Sequence, residues 1–406
     1  MTAGSLAGAL GTVATVVALV LLVPSSVLLL QAVVAALPPR RRDDAREPVP
    51  AARPAVAVLV PAHDEASGIG ATLRTIVTQL AAGDRLLVVA DNCSDDTASV
   101  ARAAGAEVVE RADPTRRGKG YALDFGTRHL ALAPPGVVIV VDADCEVHPG
   151  SLEQLARLAV RSGRPVQSLD LMRAPPGAPL KTRIAEFAWV VKNHVRPLGF
   201  ARLGLPCQLM GTGMAFPWQV LRDAPLASDH IVEDLRLGLD LASAGSAPLF
   251  CPEALVTSVF PSHAAGIAEQ RMRWERGHVG VIVREVPRAL WRALTRARPA
   301  LATMAIDVSV PPLTILVLLL LAQAAIDAAL ALIGGSAVAL LLGLAALAMV
   351  TLATAIAWTS FARHIVSLGE LVAAPLYVLG KLPLYARFLR REKRGWVRAR
   401  RDGQRD

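Results

Sequence analysis

The chain has 406 residues, of which 53% are hydrophobic, and its mean hydropathy of +0.44 is too apolar for an ordinary soluble enzyme of this length. A formal charge of +9 and a pI near 10.0 invite a nucleic-acid reading, but the basic residues cluster beside hydrophobic segments rather than among exposed aromatics, which argues against nucleic acid and for anionic membrane lipid. Four cysteines, Cys93, Cys145, Cys207 and Cys251, show no CxxC pair and no metal-ligand spacing with the histidines, the usage expected of a reduced cytosolic domain.

An uncharged stretch from Met1 to Pro39 opens the chain, and its core from Leu10 to Leu37 exceeds the roughly 20 residues that cross a bilayer. No basic residue precedes Arg40, so the segment lacks the positive start of a cleaved signal and residues 1–39 read as a retained anchor. Arg40, Arg41 and Arg42 begin a basic linker over residues 40–54. Because Lys and Arg are retained on the cytoplasmic side of short loops, they place the N-terminus outside and the following domain in the cytosol.

Residues 55–283 alternate short β-rich runs with helical stretches, the pattern of an α/β domain with a mostly parallel sheet. Strands are expected over Val56 to Val60, Arg85 to Ala90 and Val137 to Val141, and helices over Ile69 to Leu80, Thr97 to Ala104 and Leu235 to Ala242. Open α/β sheets bind ligands beyond the carboxyl ends of their strands. Those ends carry Pro61-Ala62-His63-Asp64-Glu65, Asp91-Asn92-Cys93-Ser94-Asp95-Asp96-Thr97 and Asp142-Ala143-Asp144.

Carboxylates crowded together repel one another, so a divalent cation or a hydrogen-bonding ligand is implied. Asp142 and Asp144, two apart on an extended or turning backbone, can both offer oxygens to Mg²⁺ or Mn²⁺, although Asp-x-Asp also occurs as an ordinary surface turn. Asp91, directly at a strand end, is placed to hydrogen-bond a base or ribose, whereas Asp95 and Asp96 serve equally as turn and N-cap residues. Arg117-Gly118-Lys119-Gly120 introduces a helix with two glycines and two cations, suited to close approach of phosphates or, more plainly, to a solvated basic loop. Ile231-Val232-Glu233-Asp234 opens a helix with a carboxylate pair at its positive end, which simple capping also explains, and Gln270-Arg271-Met272-Arg273-Trp274 lies on a later helix.

Over residues 284–305, Arg284, Arg288, Arg292 and Arg296 recur beside Val286, Leu290, Trp291 and Leu294, as in an interfacial membrane helix or an amphipathic helix packed on the domain. Residues 306–360 form an apolar hairpin, Val308 to Ile333 and Ser336 to Trp358, joined at Gly334-Gly335. It returns the chain to the side holding Arg387, Arg390, Arg391, Lys393, Arg394, Arg398, Arg400 and Arg401. Within residues 361–406, Leu371 to Leu389 is broken by Pro375, Lys381 and Pro383 and reads as interfacial or re-entrant.

The order and spacing of these motifs resemble the family 2 glycosyltransferases with a GT-A fold, in the membrane-embedded branch of cellulose, hyaluronan, chitin-oligosaccharide and poly-N-acetylglucosamine synthases. The resemblance covers about Ala55 to Gly280 and the flanking apolar layout. It implies a Rossmann-like, mostly parallel GT-A domain flanked by transmembrane helices. Pro61, Asp64, Glu65 and Asp91 would line the nucleotide pocket, with Lys119 near the uridine and diphosphate. Asp142 and Asp144 match the metal-binding pair, and Asp142 also touches the donor. Gly211-Thr212-Gly213 and Glu233 would face the acceptor, and Asp234 matches the catalytic base. Gln270 and Arg273 would hold the diphosphate, and Trp274 the acceptor. Two positions depart from the pattern: His63-Asp64-Glu65 stands where many relatives have Asn before Glu, and Val232 replaces a frequent Thr.

The implied activity is inverting, metal-dependent transfer from a UDP-sugar to a growing polysaccharide or oligosaccharide, with Mg²⁺ or Mn²⁺ as cofactor and an export partner left unidentified. The protein would be integral to the inner or plasma membrane. Single transfer to a lipid-linked acceptor is the alternative, and a non-catalytic membrane subunit binding nucleotide or saccharide is the reading from another class.

Overall fold

Apolar runs without polar alternation fit strands covered on both faces. In the computed structural model, which describes residues 3–38, 53–261, 264–333 and 337–379, such runs form the middle of an eight-stranded sheet. Its strands are β1 (Val56–Ala62), β2 (Arg85–Asp91), β3 (Glu107–Arg111), β4 (Val137–Val140), β5 (Glu146–Val147), β6 (Val166–Arg173), β7 (Met214–Pro217) and β8 (Leu249–Val259). They lie in the order β3-β2-β1-β4-β7-β6-β8-β5. β1, β2, β3 and β4 pair in parallel, as do β6 and β8, while β7 runs antiparallel to both β4 and β6.

Alternate residues of each strand feed opposite layers. Val56, Val58 and Val60 pack with Ile69, Leu73 and Ile76 of the helix Ile69–Val77 and with Leu152 and Leu155 of the helix Ser151–Ser162. Ala57 and Leu59 pack on the other side with Leu123 and Leu130 of the helix Lys119–Leu130 and with Leu237 and Leu241 of the helix Glu233–Ala244. The chain lays down β1, β2 and β3 in one direction and then returns to place β4 on the far side of β1, so strand order reverses there. In open α/β sheets ligands bind at such a reversal, here beyond the carboxyl ends of β1 and β4.

Most expected boundaries shift by one or two residues, and two of the shifts have a clear local reason. β1 runs through Pro61 to Ala62, because its pairing with β4 ends at Leu59 while pairing with β2 continues, leaving a site where a missing N–H is tolerated. The helix from Ile69 stops at Val77 rather than Leu80, and the last residues tighten into i→i+3 bonds, Gln79 N to Ile76 O at 2.9 Å and Leu80 N to Val77 O at 3.3 Å.

Described residues 53–178 and 204–305 form one compact unit, and residues 3–38, 179–203 and 306–379 form another. The second unit contains three helices long and apolar enough to cross a membrane: Gly8–Ala36, Leu313–Leu332 and Ala337–Ala362. Residues 179–203 lie inside the stretch that the sequence pattern assigns to the catalytic domain, yet they group with these apolar helices. They fold as Leu180–Val190, a π turn over Val191–Val195, and Arg196–Arg202.

Gly199 lies so close to the first helix that a Cβ there would meet Gln31 O at 2.2 Å. Arg196 Nη2 donates to Asp307 Oδ1 at 2.9 Å and to its carbonyl at 2.6 Å, and Gln31 Nε2 donates to the same carboxylate at 2.7 Å, all three side chains being buried. Arg202 Nη1 donates to the carbonyls of Val34 at 3.1 Å and Ala35 at 2.7 Å, and also to Leu37, filling acceptors that a helix C-terminus leaves open. Most of the basic linker, the Gly334-Gly335 turn and the basic tail lie outside the described residues, as does the end of the Leu371 to Leu389 stretch beyond the helix Leu368–Leu379.

Candidate active site

The loops after β1 and β2 are bound to each other by their polar side chains. Asp64 Oδ1 accepts from Ser94 N at 2.5 Å and from Ser94 Oγ at 3.2 Å, and Glu65 N donates to Thr97 Oγ1 at 2.7 Å. Asp95 accepts from Ala66 N at 3.1 Å and Thr97 N at 3.0 Å, so its turn role is realised, while Asp96 stands at the N-cap without a side-chain capping bond. Asp64 and Asn92 both adopt φ of 51°, a left-handed conformation that Asp and Asn accept more readily than most residues. Asp64, Cys93 and Asp95 bring ligand-capable atoms within 4.8 Å of one another, but both carboxylates already accept the hydrogen bonds that join the loops.

Asp91 is buried at the end of β2, where burial pushes its carboxyl up and Arg111 opposes the shift from 2.5 Å. Arg111 is the register partner of Asp91 on β3 and stacks over Tyr121 at 5.6 Å. Spacing does not reveal that role, because Arg111 reaches the site only through strand pairing. His63 Nδ1 lies 2.7 Å from the Asp91 carbonyl oxygen.

Asp142 follows β4, and its amide donates to Thr212 Oγ1 at 3.0 Å. Lys119, the first residue of its helix, contacts Asp142 Oδ1, donates to Gly211 O at 2.7 Å and lies 4.0 Å from Glu233 Oε1. A Cβ on Gly211 would stand 3.6 Å from Asp234 Oδ2 and 3.7 Å from Lys119 Nζ. Asp142, Lys119, Gly211, Glu233 and Asp234 therefore come together, with Asp144 exposed on the same turn as Asp142.

One ammonium here faces three carboxylates. Burial pushes the Glu233 carboxyl up to about 8; Lys119 works against the shift, and Asp234 and Asp142 add to it. Burial also disfavours the Lys119 ammonium, but the carboxylates of Asp142, Glu233 and Asp234 outweigh it and hold the group charged well above its ordinary range.

Two glycines in the 211–213 turn meet steric requirements. Gly211 has φ 98° and Gly213 φ 63°, and a Cβ on Gly213 would fall 1.8 Å from Ser168 Oγ. Gln167, fully buried on β6, organises the turn: its Nε2 donates to Thr212 O at 2.8 Å and its Oε1 accepts from Met210 N at 2.8 Å. As one polar residue in a strand, Gln167 gives no sequence signal.

The helix Ala264–Arg284 passes close to the residue before Glu233, since a Cβ on Gly277 would lie 2.8 Å from Val232 Cγ1. Arg273 and Trp274, about one turn earlier on that helix, are half-buried, and the side chain of Gln270 lies outside the described residues. Pro61 and Glu65 are partly buried at the end of β1.

A family model described as "Glycosyltransferase like family 2" matches residues 54–277, more than half of the chain. An uncharacterized glycosyltransferase of Mycobacterium tuberculosis is 38% identical over 122 residues, covering 28% of this chain and 51% of that protein. An uncharacterized protein of Methanocaldococcus jannaschii is 31% identical over 106 residues, covering 26% of this chain and 42% of its own. The chain thus spans about half the length of the curated relatives it matches. A solved mannosyltransferase from Pyrobaculum calidifontis, in complex with GDP-Man and Mn²⁺, superposes with a TM-score of 0.54 at 20% identity, covering 91% of this chain and 99% of the other. That likeness extends to the fold alone, a GT-A arrangement of mixed α/β layers. Since the matched stretch runs from β1 through the Glu233-Asp234 helix to Arg273 and Trp274, the chain belongs to the glycosyltransferase-like family 2.

Proposed function

We propose that the protein is an inverting, metal-dependent glycosyltransferase that moves a sugar from a UDP-sugar onto a growing polysaccharide or oligosaccharide at a membrane. The observation that carries this reading is the meeting of Asp142, Lys119, Glu233 and Asp234 around Gly211. Asp234 takes the proton of an acceptor hydroxyl as that oxygen attacks the anomeric carbon from the face opposite the departing diphosphate. Pro61, Asp64, Glu65 and Asp91 bound the nucleotide, and Lys119, Gln270 and Arg273 receive the diphosphate. Gly211, Thr212, Gly213, Glu233 and Trp274 shape the acceptor side.

The all-oxygen donor set of Asp142 and Asp144 suits a hard divalent cation. Mg²⁺ or Mn²⁺ held there would offset the negative charge that develops on the leaving group. Asp144→Ala is expected to lower metal-dependent UDP affinity at least about tenfold, in line with the charge-assisted bonds removed, while leaving metal-free binding unchanged. Calorimetry with and without Mn²⁺ reads this directly, and an undiminished metal effect would remove Asp144 from the site.

Three apolar helices and the placement of basic residues support an integral membrane protein whose catalytic domain faces the cytoplasm. The helix Val286–Thr295 buries Val286, Ala289 and Ala293 and leaves Trp291 69% and Leu294 78% exposed, beside exposed Arg288 and Arg292. An exposed apolar and basic face of this kind suits anionic lipid, and it favours the second reading, single transfer to a lipid-linked acceptor arriving along the membrane surface.

The test is a panel of UDP-sugars, with GDP-Man included, presented to the purified chain in lipid nanodiscs with Mg²⁺ or Mn²⁺. Nucleoside diphosphate release establishes turnover. Ladders of product support polymer growth, single-sugar lipid products support the alternative, and binding without release from any donor supports a non-catalytic subunit.

A further inference from the structure

Lys119 occupies the place in the site where positive charge is most needed. Its ammonium contacts Asp142 Oδ1, donates to Gly211 O at 2.7 Å and approaches Glu233 Oε1 to 4.0 Å. A divalent cation on Asp142 would need the same carboxylate, and two cations side by side on one oxygen pair repel strongly.

We propose that Lys119 is a resident counter-cation: it neutralises Asp142 and yields that carboxylate to the divalent cation when a nucleoside diphosphate draws the ammonium away. This rests on the reading of Asp142 and Asp144 as the cation-binding pair. Its consequence is that metal and donor bind as a coupled pair, and the cation alone binds weakly.

The surroundings of Lys119 allow its head to move while its base stays fixed. Gly118, with φ 138°, turns the chain into the helix, and Gly120 packs so tightly that a Cβ there would lie 2.5 Å from Leu226 O and 2.7 Å from Ser228 O. The backbone on both sides is therefore held, and only the four-carbon stem is left to swing. The Gly211 carbonyl offers the ammonium an anchor independent of Asp142, so release of one carboxylate does not require departure from the site. The helix that starts at Lys119 runs 12 residues, and its first amides favour an incoming phosphate beside the displaced ammonium.

The experiment measures Mn²⁺ binding to the purified full chain by electron paramagnetic resonance of the free ion, with and without UDP. In the unaltered protein UDP is expected to tighten Mn²⁺ about tenfold or more, within the usual range of coupling between two sites. K119M should bind Mn²⁺ about tenfold more tightly without UDP, and its response to UDP should shrink to about threefold or less. K119R, which keeps the charge, should resemble the unaltered protein without UDP.

Equal Mn²⁺ affinity in K119M and the unaltered protein would overturn the proposal and make Lys119 a simple structural pin. Mn²⁺ binding that is indifferent to UDP in the unaltered protein would overturn it without recourse to any variant. Failure of the underlying site is separately visible: neither protein would then bind Mn²⁺ even with UDP, or D144A would bind it as well as the unaltered chain.

Discussion

Asp234→Asn is expected to lower kcat by about 10²–10⁴-fold, the usual contribution of a positioned general base, while leaving donor affinity close to normal. Asn preserves the shape of the side chain and its place opposite Gly211, so the site stays assembled and only proton acceptance is lost. The neighbouring carboxyl is a poor substitute. Burial and the Asp234 carboxylate raise the Glu233 carboxyl, with Lys119 opposing them, so its ionised form is disfavoured in this setting. The sign matters for the pH profile: Asp234→Asn removes one of the charges that raise Glu233, but burial still holds its carboxyl above the ordinary range, so it becomes a better acceptor as the pH rises. Residual turnover in the Asp234→Asn protein should therefore rise with pH if Glu233 supplies it. Steady-state kinetics from pH 6 to 9, with UDP binding measured in parallel, checks both statements. Near-normal turnover at pH 7 would remove Asp234 from the role of base.

The parts of this site that are legible in the sequence are those fixed by local pattern. The all-valine and isoleucine run ending at Val141 announces a buried strand, and the first residue able to carry charge after it is Asp142, so strand and candidate ligand are read together. The acidic loops after β1 and β2 follow from the same logic. The three apolar helices stand out because length and hydropathy suffice to mark them.

What the sequence conceals is pairing between distant residues. Nothing in spacing brings Lys119 to Asp142, Arg111 to Asp91 or Gln167 to the 210–212 turn, since each meeting depends on strand order and register. The stretch 179–203 is hidden for a different reason. Lys181, Arg183, Glu186, Lys192, Arg196 and Arg202 interrupt any apolar run there, so the stretch falls within residues 55–283 of the catalytic domain. Its attachment to the apolar unit becomes visible only when the partners of Arg183, Arg196 and Arg202 are known: Glu370, Asp307 and the carbonyls at the end of the first helix.

That attachment supplies the second large expectation. Arg196→Met should destabilise the apolar unit by about 3–5 kcal/mol, the usual cost of removing one partner of a buried ion pair. Arg196 and Asp307 each expose only 4% of their side chains, so water is poorly placed to replace the lost guanidinium. Gln31 still donates to Asp307, but a neutral amide cannot compensate a buried negative charge. Asp307→Asn introduced together with Arg196→Met removes that charge while keeping an oxygen for Gln31, and the double variant should recover a large part of the loss. Thermal unfolding of the full chain in detergent, followed through the monodisperse fraction, compares the three proteins. If the single variant unfolds within about 1 kcal/mol of the unaltered chain, the magnitude expected of an exposed pair, then this contact is not what ties residues 179–203 to the apolar helices. If instead the double variant is rescued, the electrostatic origin of the tie is established, because packing lost with the arginine stem is common to both variants and cannot explain the difference between them.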